Sequence, residues 1–329
     1  MFLKLIKFAA IACVVPLLLA FSLIASQQSQ DRTGESSLDF SRLPEIGGQS
    51  SPLIGYTTFD GDELGFRRFE TTEDGAPLLV LVHGSGWHGL AYVQLAQRIA
   101  EAGLADVVVP DLRGHGPSPQ RRGDVDYIGQ LENDLHALIK QEVSEGQSIV
   151  MAGHSSGGGL VIRYANGEFG DDLGGAILMA PFLKHDAPTM RPSSGGWAEA
   201  KVRRIIGLSM LNTVGIKALN HLPIIDFAFS QDVIDGPLGR TATRAYSYRM
   251  NVSFAPRSDY LQDVAKLPPF LLVAGRDDEA FVSDLYEPTL SSANPGGRYV
   301  LIDGVSHLDL ISSDMNFNAI RDYLARFDS

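Results

Sequence analysis

Cysteine is nearly absent: Cys13 is the one thiol in 329 residues. No intramolecular disulfide and no cysteine-based metal centre can be built from it. Histidine offers no metal-binding helix either, because none of the eight histidines follows the His-x-x-x-His spacing. Basic residues are outnumbered, 27 against 39 acids, for a net charge of -12. Nucleic acid is therefore not an expected partner, since phosphate backbones call for a basic patch. Internal repeats and low-complexity tracts are also missing. What remains is 44% hydrophobic and 20% charged. That suits an ordinary globular core, in one large domain or two small ones.

Long hydrophobic runs are confined to one place. Residues 1–7 carry Lys4 and Lys7, residues 8–25 are uncharged and interrupted by Pro16, and residues 26–30 are polar. A basic start, an apolar middle and a polar exit describe an export segment. The apolar run is at the lower edge for spanning a bilayer. Residues 1–26 are thus expected to be a signal peptide or an N-terminal membrane anchor. The protein would be exported or membrane-anchored, with its catalytic domain outside the cytoplasm and membrane association through residues 8–25 left open. Residues 27–52, rich in Ser, Gln, Gly and Asp, read as a linker to a domain over 53–329.

Within that domain, 53–59 and 64–69 flank Asp60-Gly61-Asp62-Glu63 and predict an antiparallel hairpin at a sheet edge. Short apolar runs follow at 78–82, 107–109, 149–152, 176–179, 270–274 and 299–302. They alternate with helical patterns at 91–102, 127–142, 158–166 and 316–327. This alternation predicts a mostly parallel sheet with crossover helices. It breaks once, between the runs at 176–179 and 270–274, over a stretch too long for one crossover. There, about 184–258 is expected to form a cap over the strand ends. Its apolar stretches 202–211 and 221–229 are read as packing onto the main domain, with contact to lipid as the alternative.

Ligands of an open parallel sheet bind at the carboxyl ends of its strands. Those ends carry the chemistry here. The first run ends in His83-Gly84-Ser85-Gly86-Trp87-His88 and the second in Asp111-Leu112-Arg113-Gly114-His115-Gly116. The third leads into Gly153-His154-Ser155-Ser156-Gly157, then two more glycines and a helical pattern. That is strand, sharp turn, helix, with a serine at the apex. A serine hydroxyl is a weak nucleophile and has to project where a base and a carbonyl carbon both reach it. The last two ends are Gly275-Arg276-Asp277-Asp278-Glu279 and Asp303-Gly304-Val305-Ser306-His307.

Serine, acid and histidine therefore follow one another in chain order, each just after a predicted strand. In these motifs the sequence resembles the α/β-hydrolase family over about 53–329, with the insert matched only in position. It most resembles the monoacylglycerol lipase and lysophospholipase branch, through Arg121-Arg122-Gly123-Asp124-Val125-Asp126-Tyr127 and the helix after it with Asp134. That branch often has Glu where Trp87 stands and Met where Ser156 stands.

The resemblance implies an α/β-hydrolase fold, a mostly parallel central sheet with helices on both faces and a helical cap insert. It implies a carboxylic-ester hydrolase working through an acyl-enzyme on a small-molecule ester or lipid-like substrate, monoacylglycerol or lysophospholipid, with no metal or organic cofactor. Ser155 would be the nucleophile, His307 the base and Asp278 its acid partner, with the backbone N–H groups of Ser85 and Ser156 as oxyanion hole. His307 is the only histidine after Asp278. Asp277, Glu279 and Asp303 compete for the acid's place, and the family's spacing, three residues after Gly275, selects Asp278. His83, His115 and His154 are expected to hydrogen-bond within the loops. Asp111 and Arg113 are expected to brace them, an ion pair between the two being one way. Peptidase, amidase or haloperoxidase-like activity on the same triad, and a non-catalytic binding protein on this scaffold, stay open as alternatives, as does the oligomeric state.

Overall fold

Apolar runs without polar alternation become strands covered on both faces, since neither face has room for a polar residue. In the computed structural model, which describes residues 2–30, 32, 38–43 and 52–327, Leu78–Val82 and Phe270–Gly275 are buried at every position. The strands in chain order are β1 (Ile54–Thr57), β2 (Glu63–Phe69), β3 (Leu78–Val82), β4 (Asp106–Pro110), β5 (Ile149–His154), β6 (Leu173–Met179), β7 (Ala198–Ala200), β8 (Pro223–Phe227), β9 (Ala245–Ser247), β10 (Phe270–Gly275) and β11 (Gly297–Ile302). Eight of them form one sheet in the order β1-β2-β4-β3-β5-β6-β10-β11. The pairings β1–β2 and β2–β4 are antiparallel, and the rest of this sheet is parallel. The predicted edge hairpin is present, with Ile54 opposite Phe66 and Thr57 opposite Glu63.

Helices cover both faces: α2 (Val93–Glu101) and the C-terminal helix Asp314–Leu324 on one, α3 (Gln130–Glu142) and α4 (Ser156–Ala165) on the other. The helix α2 buries Val93, Leu95, Ala96, Ile99 and Ala100, the apolar stripe of an amphipathic helix. Each fully buried Leu or Ile of this kind stabilises the domain by roughly 1.5–3 kcal/mol. The chain steps from β3 to β4 on one side and then to β5 on the other. The crevice outside the carboxyl ends of β3 and β5 is therefore a topological switch point. This is the α/β-hydrolase fold.

The chain between β6 and β10 holds α5 (Val202–Thr213), the short helices Tyr248–Phe254 and Tyr260–Ala265, and a second, antiparallel sheet of β7, β8 and β9. Backbone bonds fasten this insert to the strand-end loops. Thr243 N–H donates to Gly86 O at 2.8 Å, and Ser247 N–H to Gly123 O at 2.9 Å.

One expectation is overturned at the N-terminus. The first 26 residues include a helix, α1 (Phe2–Ala25), whose side chains are described from residue 14 on. No helix among the described residues is long and apolar enough to cross a membrane. The physical reason lies in what α1 touches. Ala20 and Ile24 are buried against Leu208 and Leu211 of α5, and Arg204 donates to Ile24 O at 3.2 Å. Gly207 makes this approach close, since a Cβ there would lie 2.6 Å from Ala20 O. One face of the segment is thus packed against another helix of the same chain. The signal peptide or anchor, the membrane association through residues 8–25, and the placement outside the cytoplasm are corrected accordingly.

Candidate active site

The serine at the apex owes its position to two glycines. A Cβ on Gly157 would sit 2.5 Å from the carbonyl oxygens of Val82 and His83, and one on Gly153 would sit 2.3 Å from Gly157 O. Neither place tolerates a side chain, so β5, the turn and α4 pack more closely than any other residue allows. Ser155 itself has φ 55° and ψ -122°. A non-glycine residue held there costs on the order of 1–3 kcal/mol. The turn is fixed by its neighbours: Ser155 N–H donates to Met179 O and Phe182 N–H to Ser155 O, both at 2.9 Å. The N-terminal end of α4, with its free N–H groups and positive dipole end, faces the same spot.

Across the crevice, His307 Nδ1–H donates to Asp278 Oδ2 at 2.7 Å. Both side chains are buried, and Asp278 Oδ1 accepts from the N–H groups of Ala280 and Phe281 at 2.8 Å each. The carboxylate is thereby fixed in orientation, and the imidazole is held as the tautomer whose Nε2 is free to accept a proton. The competing acids are placed otherwise. Asp277 is exposed. Asp303 is 90% exposed and pairs with Arg276. Glu279 accepts from the backbone N–H of His307 at 2.9 Å, so it positions the histidine's main chain and leaves its ring to Asp278.

Ser85 and Ser156 are also brought together, their hydroxyls 2.6 Å apart. Both line, with Ser155, a cavity of about 60 Å³ walled by Phe182, Phe227, Phe254 and Phe281. Ser155 lines a second, tighter space of about 20 Å³ together with His307, Leu308 and Trp87. A wider hollow of about 150 Å³ beside Asp62 and Arg113 does not reach Ser155.

Three buried histidines tie the loops into one rigid rim. His83 accepts from Leu112 N–H at 3.1 Å and donates to Gly84 O at 2.9 Å. His154 donates to His307 O at 3.1 Å and accepts from the Tyr92 hydroxyl at 3.0 Å. His115 donates to Arg113 O at 3.0 Å and accepts from the Tyr246 hydroxyl at 2.6 Å. Burial holds all three neutral, pulling His83 down to about 4 and His115 and His154 well below the ordinary imidazole value. Asp111 and Arg113 do brace the site but do not pair with each other. Asp111 takes Arg67 at 2.8 Å and the N–H of Gly89 at 2.9 Å, while Arg113 is held by Asp134, Asp60 and Asp62. Arg113 is drawn to the edge hairpin because two acids of its turn, Asp60 and Asp62, are there to receive it.

A hydroxyl, an imidazole oriented by a buried carboxylate, and backbone N–H groups at a helix start are the parts from which acyl transfer is assembled. A family described as serine aminopeptidase, S33, matches residues 75–310. The chain belongs to this family of α/β-hydrolases. It is a serine hydrolase related to esterases and lipases, and ester hydrolysis is the chemistry typical of that fold.

The α/β-hydrolase is 24% identical over 247 residues to the monoglyceride lipase of Saccharomyces cerevisiae, covering 69% of this chain and 76% of that one. It is 31% identical over 113 residues to a probable protein phosphatase methylesterase 1 of Caenorhabditis elegans, but there it spans only 31% of the relative's length. Among solved structures, a soluble variant of the yeast monoglyceride lipase with a substrate analogue superposes with a TM-score of 0.65 at 18% identity, over 86% of this chain and 97% of that one. At that identity the likeness shows the fold. Among the described residues of this hydrolase, no cluster of His, Cys, Asp or Glu is arranged to hold a metal ion.

Sequence reasoning missed Tyr92, Tyr246 and Phe40. The two tyrosine hydroxyls join loops far apart in the chain, and Phe40 lies against the tighter cavity. No local pattern marks any of them, since each acts on residues more distant in the chain than a turn or a helix repeat.

Proposed function

We propose that the protein cleaves carboxylic esters through an acyl-enzyme on Ser155. The observation that carries this is the 2.7 Å bond between His307 and the buried Asp278, with His307 and Ser155 lining one cavity. His307 Nε2 takes the proton from Ser155 Oγ as that oxygen bonds to the ester carbon. The carbonyl oxygen becomes negative and is received by the N–H groups of Ser85 and Ser156. Collapse breaks the bond to the alcohol oxygen, which takes the proton back from His307. Water then repeats the sequence and frees the acid. Asp278 steadies the imidazolium through its bond to Nδ1–H.

The substrate class we infer is a lipid-like ester, monoacylglycerol or lysophospholipid. The aromatic walls of the roomier cavity suit an acyl chain, and the yeast relative named a monoglyceride lipase points the same way. The aminopeptidase reading in the family's description lacks one requirement. Recognition of a peptide's free α-ammonium calls for a carboxylate beside the nucleophile, and the described residues lining either cavity at Ser155 include no Asp or Glu. The reading is tested with a fluorophosphonate probe and paired substrates. Labelling at Ser155, with hydrolysis of p-nitrophenyl butyrate and a monoacylglycerol and no turnover of an aminoacyl-p-nitroanilide, is expected. Turnover of the anilide in preference to the esters would overturn it.

A further inference from the structure

Residues 38–43 cross the mouth of the crevice. Leu38 and Phe40 are buried, and the Phe40 ring sits in a cage of three others, 5.5 Å from Trp87, 4.9 Å from Trp197 and 4.8 Å from Phe229. Those three rings come from the loop after β3 and from the insert, so Phe40 fills the gap between the main domain and its cap. Described residues at and upstream of this strap are tied to the domain. Arg42 pairs at 2.7 Å with Asp309, two residues beyond His307. Upstream, Gln30 N–H donates to Asp226 at 2.9 Å, and Arg32 pairs with Glu199 at 3.4 Å, both in the insert.

The two spaces beside Ser155 differ in what they touch. His307 and Leu308 line the tighter one, together with Leu38 and Phe40, and are not part of the roomier one. The histidine returns its proton to the departing oxygen, so the alcohol part of an ester lies on the histidine's side. The strap therefore narrows the alcohol side, leaving about 20 Å³ there against about 60 Å³ in the roomier space. The strap's side chains facing that space are apolar.

We infer that Phe40 is a specificity-determining residue that restricts the alcohol part of the substrate to small, uncharged groups. This rests on the ester-hydrolase reading above. It separates the two members of the proposed substrate class. A monoacylglycerol releases uncharged glycerol. A lysophospholipid releases a charged glycerophosphodiester, which the apolar strap and its narrow slot disfavour.

The test uses the full chain as wild type, Phe40→Ala and Phe40→Leu, on two ester series: methyl and benzyl butyrate, and methyl butyrate and methyl octanoate. Comparing ratios between variants cancels the intrinsic reactivity of each ester. Phe40→Ala is expected to raise the benzyl-to-methyl ratio of kcat/KM by about tenfold or more, the range one hydrophobic-pocket change commands. Phe40→Leu is expected to fall between, and the octanoate-to-butyrate ratio to stay within about twofold. Phe40→Leu carries the test if the alanine variant fails to fold. A benzyl-to-methyl ratio that does not move, or a shift confined to the acyl series, overturns the role given to Phe40 while Ser155 still reacts with the fluorophosphonate. Loss of that labelling in the wild type would instead bring down the ester-hydrolase reading itself.

Discussion

Tyr246, in the insert, accepts a hydrogen bond from the backbone N–H of Gly86 at 2.9 Å. Gly86 follows Ser85, one of the two proposed oxyanion donors, and its φ of 79° is a value few side-chain-bearing residues adopt. The cap therefore holds the loop that must present its N–H to the developing charge. The tyrosine proton goes on to His115, so removing the hydroxyl leaves two buried groups without their partner.

Tyr246→Phe is accordingly expected to lose about 1–3 kcal/mol of stability for each unpaired buried group, read as a lower denaturation midpoint. It is also expected to lower kcat by about tenfold or more with KM little changed, because the displaced donor acts on the transition state. An unchanged kcat in the folded variant would show that the loop keeps its place without the cap.

Ser155→Ala should fold as the parent does, because the turn is held by backbone bonds and by Gly153 and Gly157. Its esterase turnover should fall by a factor on the order of 10⁴ or more, since the three residues act as a unit. Steady-state rates with p-nitrophenyl butyrate decide this, and comparable rates in mutant and parent would remove Ser155 from the mechanism.

The three neighbouring acids should separate cleanly. In Asp278→Asn the amide oxygen can still accept from Ala280 and Phe281, which turns the amide nitrogen toward His307 Nδ1. A donor facing a donor drives the ring to its other tautomer, with the proton on Nε2 where the base should be empty. A loss of kcat on the order of 10³–10⁴ is expected. Asp277→Asn, at an exposed position, should change little. Glu279→Ala should fall between, since it releases only the backbone N–H of His307. Finding the large loss at Asp277 would move the acid by one residue.

Much of this site can be read from the chain alone, and the physical reasons are specific. Strands β3, β5 and β10 are legible because a strand covered on both faces must be apolar throughout. The serine turn is legible because two backbones approach too closely for any residue but glycine. The spacing from Gly275 that the resembled family implies points to the acid that pairs with His307, and the exposure of Asp277 fits. Phe40 was hidden because a single aromatic in a polar stretch carries no period, and the aromatic rings that trap it lie 47 to 189 residues away. The pairing of Asp111 with Arg67 was hidden for a related reason: strand β2 runs antiparallel beside β4, and the sequence does not give that register. The N-terminal apolar run misled because apolarity says a face will be covered but not by what. Here α5 covers part of it.

Acid should unfold the protein earlier than its carboxylates alone predict. His83 and His88 are each held at about 4 by burial, and the same cause pulls His115 and His154 well below the ordinary imidazole value. In the unfolded chain an imidazole titrates near 6.5. Below that pH the unfolded chain takes up protons that the folded chain refuses, so stability is complete above about 6.5 and drains away as pH falls toward about 4. Carboxylates titrate mostly below this window. The melting temperature is therefore expected to drop steadily between about pH 6.5 and pH 4.5. His88 isolates the cause. Its Nε2 lies 2.8 Å from the Thr241 hydroxyl, a contact glutamine can offer, while its Nδ1 has no hydrogen-bond partner. His88→Gln should make the decline shallower by one proton, about 1.4 kcal/mol per pH unit, in denaturant titrations across the window. A slope identical to the parent's would mean that His88 does not stay neutral on folding and contributes nothing to the loss of stability in acid.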